Sequence, residues 1–126
     1  LYKCIMFDFL MLISAIILTS IDFVYLNLIK NYFLSQIKKV QGSTPKINYL
    51  GVVLCYIFLI CGMNYFIIKP RRSEKDAFLL GVIIYGVYET TNYALLKNWS
   101  MLTVIIDTLW GGILFASTSY IVNLLR

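Results

Sequence analysis

Histidine is absent from the 126-residue chain, proline occurs twice, and only 13% of positions carry a charged side chain. Each scarcity removes a class of protein. Without histidine there is no HExxH zinc site and no Ser–His or Cys–His nucleophile pair, and the sequence has neither a GxSxG elbow nor a P-loop. Familiar hydrolases and nucleotide enzymes are thereby disfavoured. The three cysteines, Cys4, Cys55 and Cys61, form no CxxC and have no histidine to complete a zinc set. All three lie in apolar segments and read as small packing residues. The shortage of charge is the most telling, because soluble chains carry roughly 25% charged residues.

What is present is apolar: 60% of residues are hydrophobic, 16% are aromatic, and the mean hydropathy is +0.81. So small a body cannot bury that much apolar side chain in its own interior. Lipid is the solvent that fits. The net charge of +5 does not point to nucleic acid, because the cations sit between apolar runs rather than along one face. They read as residues of the membrane surface, attracted to anionic head groups.

Crossing about 30 Å of hydrocarbon takes roughly 20 helical residues. Four runs meet that length, at about 5–28, 49–68, 77–96 and 101–124. Backbone polar groups must be paired within lipid, so runs this long are helices, and the strict alternation of a barrel strand is missing. The expected fold is all-α, an integral membrane four-helix bundle formed by residues 1–126 as one domain. The first run is too long for a signal-peptide core of about 7–15 residues, and no A-x-A-like site follows it.

The connections are short. The stretch from Asn31 to Val40 either lies flat as an amphipathic helix or extends the first span. Pro70 ends the second span, and Ser73 with Asp76 forms a capping-box pattern for the third. Trp99, in the tight turn Lys97–Ser100, is expected at head-group depth. Asn98-Trp99-Ser100 matches a glycosylation sequon but lies too near both spans to be reached, so it reads as chance. Four spans put both termini and the 69–76 turn on one face of the membrane. Lys and Arg then count six on that face and five on the other, which leaves orientation open.

Acidic residues inside a span cost about 2.5–3.5 kcal/mol each on insertion scales, so they face the bundle interior. Asp8, Asp22, Glu89 and Asp107 are such residues, and no Lys or Arg lies well inside a span to neutralise them. Asp22, Glu89 and Asp107 each fall about six or seven residues, roughly 10 Å, from the same membrane face. Asp8 is near the opposite face and does not join them. Helix neighbours three or four residues away offer each acid a partner within one turn. These are Thr19 and Tyr25 for Asp22, Tyr85 and Asn92 for Glu89, and Thr103, Trp110 and Gly111 for Asp107. Small residues, Gly111, Gly112, Ser117 and Ser119 on the fourth span and Gly51, Cys55 and Gly62 on the second, offer faces for close packing.

A polar pocket in one half of the bundle follows, with Asp22, Glu89 and Asp107 as candidate ligands for a cation. Hard oxygen donors suit Mg²⁺, Ca²⁺, Na⁺ or H⁺. Three readings stand side by side: acids as helix glue, acids that bind a cation or relay protons, and paired acids acting on a lipid-borne substrate. A structural or assembly subunit of a larger membrane complex is a further alternative.

The segment Tyr88-Glu-Thr-Thr-Asn-Tyr-Ala-Leu-Leu-Lys-Asn-Trp-Ser100, followed by Asp107-Thr-Leu-Trp-Gly111, resembles Y-D-x-T-N-x-A-x-L-x-x-W and then D-x-x-W-G of the domain-of-unknown-function family 2177. Asp22-Phe-Val-Tyr-Leu26 is similar to that family's D-x-x-W-L, and Tyr32 falls where the family often has tyrosine. The likeness covers nearly the whole chain, including Pro70. Two positions depart, Glu89 for the usual Asp and Tyr25 for the usual Trp, and both keep the type of chemistry. The resemblance implies small four-helix membrane proteins, bacterial or from large DNA viruses, and it carries architecture and motif positions with no activity. The abundance of Ile, Asn, Lys, Tyr and Phe fits an AT-rich genome, viral or protist.

The expected function is thus a multi-pass membrane protein of a cell, virion or organelle membrane. Its pocket of Asp22, Tyr25, Tyr85, Tyr88, Glu89, Asn92, Asp107 and Trp110 would bind a cation, protons or a polar lipid group. The partners expected are the bilayer and other membrane subunits or copies of the chain, with no nucleic acid and no cofactor indicated.

Overall fold

The structure, a computed structural model, describes residues 8–43 and 46–126. Cys4, Lys3, the start of the first expected span, Thr44 and Pro45 lie outside the described residues. Four helices account for most of the rest, and no strand occurs among the described residues.

Helix α1 runs Phe9–Gln41. Asp8 caps it, its carboxylate accepting the Met11 N–H at 2.8 Å. At the far end Gly42 adopts φ 78° and its N–H returns to the Lys38 carbonyl at 2.7 Å. Only a residue without a side chain takes that left-handed turn freely. Lys38 and Lys39 in the last turn oppose the helix dipole. The 31–40 stretch is therefore an extension of the first helix and not a separate surface helix. At 1.5 Å per residue, 33 residues reach about 50 Å.

Helix α2, Tyr49–Met63, begins at Asn48, whose side chain accepts the Gly51 N–H at 3.3 Å. It continues as a π-helical turn, Asn64–Ile68, closed by the Lys69 N–H to the Asn64 carbonyl at 2.9 Å. A wide turn of this kind brings three of its five residues, Asn64, Ile67 and Ile68, into the interior. The chain then reverses through Arg71, at φ 59°. Helix α3, Glu74–Leu95, starts at Ser73, whose hydroxyl accepts the Asp76 N–H at 3.2 Å. The Asp76 carboxylate pairs with Arg72 at 3.3 Å. After a turn with Asn98 at φ 67°, α4 runs Met101–Leu125 from the cap Ser100.

Ion pairs and caps fix how the ends meet. Lys69 pairs with Asp8 at 3.1 Å and Asn123 donates to Glu74 at 3.2 Å. The start of α1, the 69–73 turn and the end of α4 are thus at one end of the bundle. At the other end Gln36 donates to the Asn98 carbonyl at 2.7 Å and accepts from the Ser100 N–H and the Thr103 hydroxyl, both at 3.2 Å. The overhang of α1 is in this way tied to the α3–α4 turn, and Phe33 meets Trp99 edge-on.

The tightest seam is α3 against α4. A Cβ on Gly81 would come within 2.0 Å of the Gly111 carbonyl oxygen, and one on Gly111 within 2.4 Å of the Tyr85 ring. Backbones approach this closely only where side chains are missing. The small face expected on α2 is not used in that way: Gly62 has open space around it, and Gly51 meets only Asn48. Cys61 is disulfide-bonded, so its reading as a mere packing residue does not hold, whereas Cys55 is a free, exposed thiol.

One half of the interior is mainly apolar, with Leu18, Met63, Ile67, Ile68, Ala77, Leu114, Phe115 and Val122 buried together, and is crossed by one buried bond from Asn64 to the Ser14 hydroxyl at 2.8 Å. Outside, Leu28, Phe58 and Leu95 leave 80, 74 and 78% of their surface uncovered. Water would penalise that exposure heavily, and hydrocarbon would not. Three helical stretches, Phe9–Gln41, Tyr49–Ile68 and Met101–Leu125, are long and apolar enough to cross a bilayer. Helix α3 carries more polar residues and is not among them.

Candidate functional site: an acid-walled cavity among the four helices

In the other half of the interior, α1 presents Asp22 and Tyr25 and α4 presents Asp107 and Trp110, each pair three residues apart on one helical face. The two helices are antiparallel, so the acid of each is level with the aromatic of the other. Trp110 donates its indole N–H to Oδ1 of Asp22 at 3.0 Å, and Tyr25 donates its hydroxyl to Oδ1 of Asp107. The two rings stack between these bonds, with centroids 4.2 Å apart and planes within 4°. From α2, Tyr56 donates its hydroxyl to the second oxygen of Asp22.

Glu89 on α3 has no exposed surface. Its Oε1 accepts the indole N–H of Trp99 at 2.8 Å, while its Oε2 is buried with no hydrogen-bond partner. The Glu89 carboxyl faces that of Asp107, with Asn92 beside it. Trp99 is itself buried, only 7% exposed. From the turn between α3 and α4 it therefore covers Glu89 with its indole.

A cavity of about 640 Å³ opens beside these groups, with walls from all four helices. Of the eight expected pocket residues, Asp22, Tyr25, Tyr85, Tyr88, Asp107 and Trp110 line it. Glu89 and Asn92 do not; Glu89 reaches the wall only through Asp107, which it faces. No Lys or Arg is among the lining residues described. Apart from Asn48 and Tyr56 the remaining wall is apolar and includes Leu26, Ile29, Val52 and Leu59.

Sequence spacing placed the acids at one depth and gave Glu89 its neighbour Asn92, but it missed the partners of Asp22 and Asp107. Thr19 bonds back to the Ala15 and Ile16 carbonyls of its own helix and not to Asp22. For Asp22 and Asp107 the donors come from across the bundle, and Tyr56 is not among the candidates the sequence offers. Its signal was available: a tyrosine inside an uncharged span still has a hydroxyl that needs an acceptor. Among the described residues, no three His, Cys, Asp or Glu side chains form a group that could hold a metal ion. Glu89 and Asp107 face each other, and Asp22 is joined to them only through the Tyr25–Trp110 stack. Asp8, at the other end, has its carboxyl held below the ordinary range, first by the Met11 N–H and further by Lys69, against a partial burial that acts the other way.

No curated protein matches the chain, and no solved structure does. The sequence profile of DUF2177, described as a predicted membrane protein, matches residues 7–124. With three helices able to cross a bilayer, that match makes this an integral, multi-pass membrane protein whose surroundings are lipid. The aromatic–acid pairs of α1 and α4 and the polar end of α3 all fall within the matched span, and the chain belongs to the DUF2177 family.

Proposed function

We propose that the protein binds a membrane amphiphile, with its tail along the apolar cavity wall and a cationic head against Asp107 and Asp22. The observation that carries this reading is a cavity of about 640 Å³ with two carboxylates and no basic residue on its described wall. Its size is within the roughly 300–1,000 Å³ usual for ligand sites. Tyr25, Tyr85, Tyr88 and Trp110 add aromatic surface, which attracts quaternary ammonium groups through ring quadrupoles. In this reading all four helices of the single domain cross the bilayer. The 22 residues of α3 reach about 33 Å, and Glu89 on it turns inward.

The test is calorimetric titration of the protein in neutral maltoside micelles with a long-chain alkyltrimethylammonium, against an alkyl sulfate of equal length. The cation should bind and the sulfate should not, and Asp107→Asn should weaken the cation at least about tenfold, the scale of one lost charge-assisted contact. Cys55, exposed on the cavity wall, should be protected from a membrane-permeant maleimide by the bound cation. Equal affinity for cation and sulfate sinks the proposal. A second reading, acids as helix glue, is favoured by the cross-helix bonds of Asp22 and Asp107. It expects Asp107→Asn to lower stability and the cation to leave Cys55 labelling unchanged.

A further inference from the structure

The binding reading leaves one buried atom of the site unexplained. Oε2 of Glu89 has no partner, its residue is fully buried, and the side chain is directed at Asp107. Two carboxylates can only accept hydrogen bonds, so neither can satisfy the other. Two negative charges in contact in a low-dielectric interior are also strongly unfavourable, which is why facing carboxyls elsewhere retain a proton between them. One proton removes both difficulties, since the protonated acid donates to its neighbour and the orphan oxygen gains a partner. The surroundings supply no competing cation. The groups facing the pair are Tyr25 from α1, Trp99 from the α3–α4 turn, and Tyr88 and Asn92 on α3 itself. Asp22, bonded to Tyr56 of α2, is on the far side of the ring stack.

Only Asp107 of the pair is on the cavity wall. A cationic head reaching it brings the positive charge that the proton otherwise supplies. We infer that Glu89 and Asp107 hold one proton between them, and that a cationic head group docking at Asp107 releases it to water. The charge balance is one cation bound for one proton lost, with no bond made or broken except O–H. The inference rests on the binding reading for its second half and on the facing carboxyls and the partnerless Oε2 for its first, so two measurements separate them.

Infrared spectra of the ligand-free protein at neutral pH should show a carboxylic-acid carbonyl band that shifts in D₂O and is missing in Glu89→Gln. Should that variant fail to fold, Glu89→Asp, which keeps an acid at the site, should retain the band at a shifted position. Absence of the band in the native protein overturns the shared proton. Affinity for the alkyltrimethylammonium, which has no titrating proton of its own, should rise toward about tenfold per pH unit, the slope for one proton exchanged. Glu89→Gln, whose amide donates permanently to Asp107, should flatten that slope while retaining binding. Tight binding with no slope in the native protein overturns the exchange and leaves the pocket standing. A clear band with no binding removes the pocket, and the exchange with it, and leaves the shared proton.

Discussion

The two halves of this bundle are built from the same four helices and solve opposite problems. Toward the 69–73 turn the interior is filled by Leu18, Met63, Ile67, Ile68, Leu114 and Phe115. Toward the α3–α4 turn it is hollow, acidic and aromatic. The filled half gains its cohesion from close contact, since lipid is as apolar as the side chains and supplies little hydrophobic drive. The hollow half gives up that contact and is held by a few directed bonds. Close packing and directed bonding are thus allotted to different depths of the same helices.

The largest break in the comparison comes from the seam that both halves share. Gly81→Val would place its side chain on the Gly111 carbonyl, and neither backbone can retreat without parting α3 from α4. Overpacking costs about 1–3 kcal/mol and more where backbone must move, so no monodisperse protein should be recovered on size-exclusion chromatography. Next, Phe115→Ala in the filled half should destabilise by about 3 kcal/mol, the lower end for a buried phenylalanine because lipid removes much of the transfer penalty. Unfolding titrations in mixed micelles measure it, and cation binding by the surviving folded protein should be unchanged. Tyr25→Phe in the hollow half should cost only about 1 kcal/mol, one interhelical hydrogen bond. An effect as large as that of Phe115→Ala would erase the distinction between the halves.

The smallest effect lies at the rim. Asp8 has its folded-state pKa depressed, so its contribution is present above the unfolded value of about 4 and is lost as pH falls through the folded one. An acid titration of stability should show a shallow loss below about pH 4 that Asp8→Asn removes. Because Asp8 is partly exposed, high salt should reduce the loss further.

Much of the frame was legible in the chain. Hydropathy located α2 through its π-turn, and α4 to within a residue, because length and apolarity are one-dimensional properties. Depth was legible too: counting residues from the span ends put Asp22 level with Asp107 and set Asp8 apart. Azimuth between helices was not. Which tyrosine meets which acid depends on rotations that no single-helix wheel contains, so Tyr56 and the exchange of donors between α1 and α4 were missed. The bond from Trp99 to Glu89 was out of reach for a related reason, since the indole is ten residues along the chain from that acid and only the fold of the α3–α4 turn brings it back over the helix. The overhang of α1 was left as one of two alternatives, and Gln36 decides it by bonding the α3–α4 turn.

The exchange between Asp22-x-x-Tyr25 and Asp107-x-x-Trp110 works like a two-pin latch. Because each helix holds one acceptor and one donor in opposite order, sliding either by a single residue, about 1.5 Å, pulls both pins at once. The relative height of the first and last helices is thus pinned at two points, where a single bond would fix only one.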